Sequence, residues 1–146
     1  MNVTVATELA RSGFLNTDHA GFEEAVSSVP AGCKGLVLIP YLEGERLPNV
    51  PEGTGVLLGL RGATGSSAYL ARAAMEGATL GLRYGLDRMA EIGVQVEEIR
   101  LIGGGSKSRT WRQVAADVFG LPVVCPKLEE GPAIGAAIQA CWCKQG

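Results

Sequence analysis

Apolar and polar residues follow two different periods along this chain, and the change between them is sharpest in residues 98–120. Ile99, Leu101 and Ile102 form a short apolar run suited to a buried strand, and Gly103, Gly104 and Gly105 stop it. From Ser106 the period becomes helical. Trp111, Val114, Ala115, Val118 and Phe119 fall on one face, while Arg109, Arg112, Gln113 and Asp117 face elsewhere. Gly120 supplies the residue just past the helix, and Pro122 forbids its continuation.

The same reading places the other elements. At the amino end Val5, Leu9 and Ser12 share a helical face. Asp18 caps a second helix running through Ser28, with Phe22, Ala25, Val26 and Val29 on its apolar side and Pro30 beyond its end. Residues 36–39 read as a strand, after which Pro40, Gly44 and Pro48 impose a loop. Glu43, Glu45 and Arg46 lie in that loop, where opposite charges satisfying one another is a simpler reading than acid–base chemistry. Residues 56–60 are apolar but too short to classify. The longest helix spans residues 67–92, with pairs Arg72/Glu76 and Arg83/Asp87 four residues apart. Ala73, Gly77, Gly81 and Gly85 form a ridge on it, and each glycine costs up to about 1 kcal/mol of helix propensity. Something must approach that ridge closely, a neighbouring helix being the first reading and a nucleotide base the second. Residues 121–125 make another strand. A last helix starts at Pro132, with Ile134, Ala137, Ile138, Cys141 and Trp142 on one face and Glu129 and Glu130 at its positive end. Strands alternating with helices predict an α/β domain with helices on both sides of a sheet.

Composition narrows the picture. A chain of 146 residues buries roughly 68% of its unfolded surface, enough for a single domain over residues 1–146. Aromatics are 5% and Gly 21 residues, so the core must be aliphatic and closely packed. A net charge of -2 without a basic block excludes a nucleic-acid partner. Cys33, Cys125, Cys141 and Cys143 lack CxxC spacing and a His cluster, and read as small buried hydrophobes rather than metal or redox groups. His19, the single histidine, reads as surface. The longest apolar run, residues 36–42, is broken by Pro40 and far short of the roughly 20 residues of a membrane span. With no leader pattern visible, the expected compartment is the cytoplasm.

Candidate chemistry sits at the sharpest change of period. A strand, a glycine turn and a helix start together receive anions, because glycines admit close approach and the first helical N–H groups lack intrahelical partners. Lys107 adds positive charge at that end, which opposes the helix dipole unless an anion compensates it. The alternative is that residues 103–105 merely close a connection and Lys107 is a solvated surface charge. GGGSKS lacks the G-x-G-x-x-G spacing of a dinucleotide fold.

Three stretches in order, GLVLIPYLEGERLP (35–48), GVLLGLRGATGSSAYLARAAMEG (55–77) and IRLIGGGSKSRTWRQVAAD (99–117), resemble the FGGY family of carbohydrate kinases. Leu47 and Tyr69 depart from the family's usual polar residues at their positions. The resemblance implies an actin-like ATPase (ribonuclease H-like) fold, the C-terminal half of a sugar kinase whose first strands precede the residue matching Met1. It implies ATP and Mg²⁺ as cofactors and a ketose, D-xylulose, as the acceptor in the full-length enzyme. Gly103, Gly104, Gly105, Ser106, Lys107 and Ser108 would lie against the nucleotide, with Asn2 nearby. The family's catalytic aspartate and sugar contacts belong upstream, and Asp18, Asp87 and Asp117 match none of its motifs. The chain alone is therefore expected not to turn over. A non-catalytic nucleotide-binding or regulatory module is the other reading, and a strand edge left open at residues 99–102 could pair with a second copy as a homodimer.

Overall fold

The computed structural model describes residues 3–127 and 131–145. Helix α1 (Val3–Glu8) continues into a π-helical segment, Leu9–Leu15. There follow α2 (His19–Ser27), β1 (Val37–Ile39), β2 (Val56–Leu58), α3 (Ser67–Glu91), β3 (Ile99–Arg100), α4 (Arg109–Phe119), β4 (Val123–Val124) and α5 (Gly131–Gln145). Among the described residues no helix is long and apolar enough to cross a membrane.

Helix α3 is the axis, and α1, α2, α4 and β1 all pack against it. It starts where Ser66 accepts a hydrogen bond from the Tyr69 N–H, and its Arg72/Glu76 and Arg83/Asp87 pairs form as the spacing predicts, each at 2.7 Å. The core joins Ala10, Phe22, Val26, Ala71, Ala74, Met75 and Val114, with a satellite of Val29, Cys33, Leu36 and Ala73 under β1. Alanines supply much of it, which is how a chain poor in aromatics brings its elements close.

The glycine ridge of α3 has a different cause from either expectation. A Cβ at Gly77 would stand 2.0 Å from the Leu38 carbonyl oxygen, so strand β1, neither a helix nor a base, demands that glycine. At Gly81 and Gly85 such a Cβ would meet nothing within 4 Å. Gly81 instead borders a hollow of 20 Å³ that Pro40, Tyr41, Glu45 and Leu47 also line.

The chain leaves α2 through a left-handed turn, residues 32–35, all at positive φ. Glu76 holds it, accepting hydrogen bonds from the Gly32 N–H at 3.1 Å and the Cys33 thiol at 3.6 Å. Burial first, then the Glu76 carboxylate, push that thiol up to about 12. The loop that follows closes on itself. Glu45 and Val50 exchange backbone hydrogen bonds at 3.0 and 2.9 Å, and the Glu45 carboxylate accepts the Arg46 N–H at 2.8 Å, which fits a structural role for that carboxylate.

The strands form two pairs, β1 antiparallel to β2 and β3 parallel to β4. The segment expected over residues 99–102 is a strand only at Ile99–Arg100, with ladder bonds to Pro122 and Val124 at 2.9 and 3.0 Å. Three other expectations are corrected. At the amino end the buried face is Ala6 and Ala10, while Val5 and Leu9 are 45% and 40% exposed, because only small side chains fit where this segment meets α3. Of the cysteines only Cys33 is buried, and Cys125, Cys141 and Cys143 are exposed. The apolar face of α5 is likewise exposed, Ile138 at 65% and Trp142 at 69%, since it meets little of the described chain.

Candidate functional site

The glycine segment between β3 and α4 forms a short turn, Gly104–Lys107, closed by hydrogen bonds from the Ser106 N–H to the Gly103 carbonyl at 3.1 Å and from the Ser108 N–H to the Gly105 carbonyl at 3.2 Å. It is one wall of an open cleft of about 1230 Å³. The facing wall comes from α1, the π-helical segment and α2, with Thr4, Thr7, Glu8, Arg11, His19 and Glu23, and the residues after β4 add Cys125, Pro126 and Lys127. The volume exceeds the roughly 300–1,000 Å³ of most small-molecule pockets, so the cleft has room for an extended ligand. All six loop residues predicted from the sequence, Gly103, Gly104, Gly105, Ser106, Lys107 and Ser108, line this cleft. Asn2 lies outside the described residues.

Helix α4 begins three residues later than its apolar period suggests. Ser108 is its cap, accepting the Trp111 N–H at 2.9 Å, so Lys107 sits ahead of the cap rather than in the first turn. The expected opposition between Lys107 and the helix dipole is reduced accordingly. Its other end finishes as the sequence predicts, with Gly120 at φ 64 and its N–H bonded to Ala116. Arg83 of α3 adds hydrogen bonds to the Val118 and Phe119 carbonyls at 3.0 and 2.9 Å.

The anion at the start of α4 is one that sequence reasoning missed. Glu23 of α2 accepts from the Ser108 hydroxyl at 2.5 Å, the Thr110 N–H at 2.9 Å and the Thr110 hydroxyl at 2.7 Å. Burial raises its carboxyl, but these hydrogen bonds and the Arg112 charge outweigh that and hold it below the ordinary value. No local pattern announces the contact, because 85 positions separate Glu23 from Ser108. Across the cleft Glu8 pairs with Arg11, whose hydrogen bond holds the Glu8 carboxyl below its ordinary value. Trp111 supports the turn from beneath. A Cβ at Gly105 would lie 3.3 Å from its ring, and its indole N–H donates to the Thr79 hydroxyl at 2.9 Å.

A glycine turn between a strand and a helix, opening on a cleft, is the architecture of a phosphate-receiving α/β domain. Residues 5–143 match the FGGY family of carbohydrate kinases, C-terminal domain. The chain belongs to that family. It is 42% identical to a xylulose kinase of Haemophilus influenzae over 142 residues, covering 97% of this chain and 29% of that protein. The fold superposes on the crystal structure of xylulose kinase from Bifidobacterium adolescentis with a TM-score of 0.81 at 34% identity, over 95% of this chain and 27% of that one. A glycerol kinase of Plasmodium falciparum shares the fold at a TM-score of 0.76 and 19% identity, covering 89% of this chain and 26% of that one. The fold is thus the actin-like ATPase domain expected from the sequence, and the chain spans less than a third of these relatives' length.

Proposed function

We propose that residues 1–146 are a single nucleotide-receiving domain of an ATP-dependent carbohydrate kinase, which transfers the γ-phosphoryl group of ATP to a hydroxyl of a ketose, D-xylulose. The observation that carries this reading is the glycine turn set in the wall of the 1230 Å³ cleft. At Gly103 and Gly104 a Cβ would meet nothing within 4 Å, so their backbone borders open space in which a phosphate can approach. ATP, when bound, supplies the phosphoryl group. The backbone of residues 103–105 would hold it, with Ser106, Lys107, Ser108 and Asn2 around it. The Ser106 hydroxyl donates to the Gly103 carbonyl at 2.7 Å and that of Ser108 to Glu23, so both shape the turn as much as they face a ligand. Mg²⁺, when it accompanies ATP, would be held chiefly by the phosphates, and among the described residues no group of three or more His, Cys, Asp or Glu could hold a metal. The sugar is inferred from the xylulose kinases among the relatives.

Among the described residues of the cleft the carboxylates are Glu8 and Glu23, both tied in hydrogen bonds and held below their ordinary values, which suits neither to the work of a general base. That favours a division in which this chain binds and positions the nucleotide, and leaves a binding module without transfer as the second reading. Amide shifts during ADP titration test the site. Residues 103–108 should move, and Gly104→Asp, which adds bulk and negative charge, should abolish the response; an unchanged titration would place the site elsewhere. Lys107→Ala should weaken binding less and in a salt-dependent way. In a coupled assay with ATP and pentuloses the chain alone should give no turnover above a heat-treated control.

A further inference from the structure

The amino end of α4 is the place where strand–turn–helix architecture ordinarily seats a phosphate, and here it is already taken. Of the four N–H groups that open the helix, Ser108 donates to the Gly105 carbonyl, Thr110 to the Glu23 carboxylate and Trp111 to the Ser108 hydroxyl. An incoming phosphate would have to displace a carboxylate that also holds two hydroxyls. The turn itself has two anchors. Glu23 reaches from α2 to the residue that ends it, Ser108, and Thr79 reaches from α3 through Trp111 to the underside of Gly105.

We propose that Glu23 is a positioning residue. Its carboxylate stands in for an anion at the start of α4, fixes Ser108 and Thr110, and so sets the glycine turn and directs phosphate to the backbone of residues 103–105. This rests on the nucleotide reading of the cleft. Glu23 suits the role because it stays ionised through the neutral range, its charge spread over three donors and faced by Arg112. A bare carboxylate beside a phosphate would repel it, whereas one consumed by hydrogen bonds repels less.

The test compares Glu23→Ala with Glu23→Gln in the full chain. Glu23→Ala should lower ADP affinity about 10-fold, the scale of a lost charge-assisted hydrogen bond network, whereas Glu23→Gln, which keeps an acceptor oxygen, should lose no more than about 3-fold. Acetate should shift the Thr110 and Trp111 amides in Glu23→Ala but not in the parent chain, and should restore ADP binding. If Glu23→Ala melts as the parent does and binds ADP equally well, Glu23 serves only helix stability and the proposal falls. If that variant does not fold, Thr110→Val removes one donor; it should bind ADP roughly 2- to 4-fold more weakly, and an unchanged affinity overturns the proposal. If the parent chain gives no ADP response, the nucleotide reading fails by itself. Hydrogen exchange at the Ser106 and Ser108 amides then decides for Glu23: faster exchange in Glu23→Ala supports control of the turn, and unchanged exchange refutes it.

Discussion

Helices α4 and α5 each carry an apolar face, each follows a short strand, and the structure treats them oppositely. On α4, Val114, Ala115 and Phe119 are 2%, 1% and 8% exposed; on α5, Ile138 and Trp142 are 65% and 69% exposed. Apolar periodicity defines a face without defining its partner. What distinguishes α4 is the number of independent ties that bring a partner to it: Glu23 from α2 at one end, Arg83 from α3 at the other, and Thr79 bonded to Trp111 between them. On α5 the side-chain hydrogen bond among the described residues is internal, from Gln139 to Cys143.

The contrast breaks most readily by truncation. Met75→Ala, in the core that α4 covers, should cost about 2–5 kcal/mol in urea unfolding, whereas Trp142→Ala on α5 should stay within about 0.5 kcal/mol. A large loss from Trp142→Ala would mean that α5 is covered in solution, and light scattering would show whether a second copy covers it.

A smaller and sharper division runs along α3. Gly77→Ala should destabilise by about 1–3 kcal/mol, because β1 must retreat from the new methyl group. Gly81→Ala, with open space in the same ridge, should stabilise by up to about 1 kcal/mol. Equal signs in thermal melts would contradict the contact between β1 and α3.

The smallest effect is a titration. The carboxyl of Glu23 has a folded value below its ordinary 4.5, so its contribution to stability is complete above 4.5 and disappears as pH falls through the lowered value. Glu23→Gln should flatten that part of the acid unfolding curve, and an unaltered curve would show that the carboxylate contributes nothing through its charge.

Much of this was legible in the chain. The caps at Asp18 and Gly120 act within a few residues, and so do the i,i+4 pairs of α3; local chemistry is written locally. The face of α4 was readable for the same reason, and the position of the glycine turn with it. What could not be read depends on distant backbone. The need for Gly77 is imposed by Leu38, the charge at the start of α4 comes from Glu23, and the register at the amino end follows from where α3 accepts only alanines. The ridge of small residues announced a close approach but could not name the strand that makes it.

The left-handed turn at residues 32–35 constrains two neighbouring side chains unequally. For a residue other than glycine the left-handed conformation costs roughly 1–2 kcal/mol. At Lys34, whose ammonium stands 5.9 Å from the Tyr69 ring, glycine would relieve that strain. It would also forfeit a cation–π contact of about 0.5–1 kcal/mol and enlarge the unfolded ensemble by a further 0.5–1 kcal/mol or so. These terms nearly cancel, so lysine and glycine can exchange there by neutral drift. Cys33 has no such freedom. Its side chain is fully buried in the satellite core and bonded to Glu76, so glycine at that position would leave a void and take one hydrogen bond from the Glu76 carboxylate in place of the strain it removed.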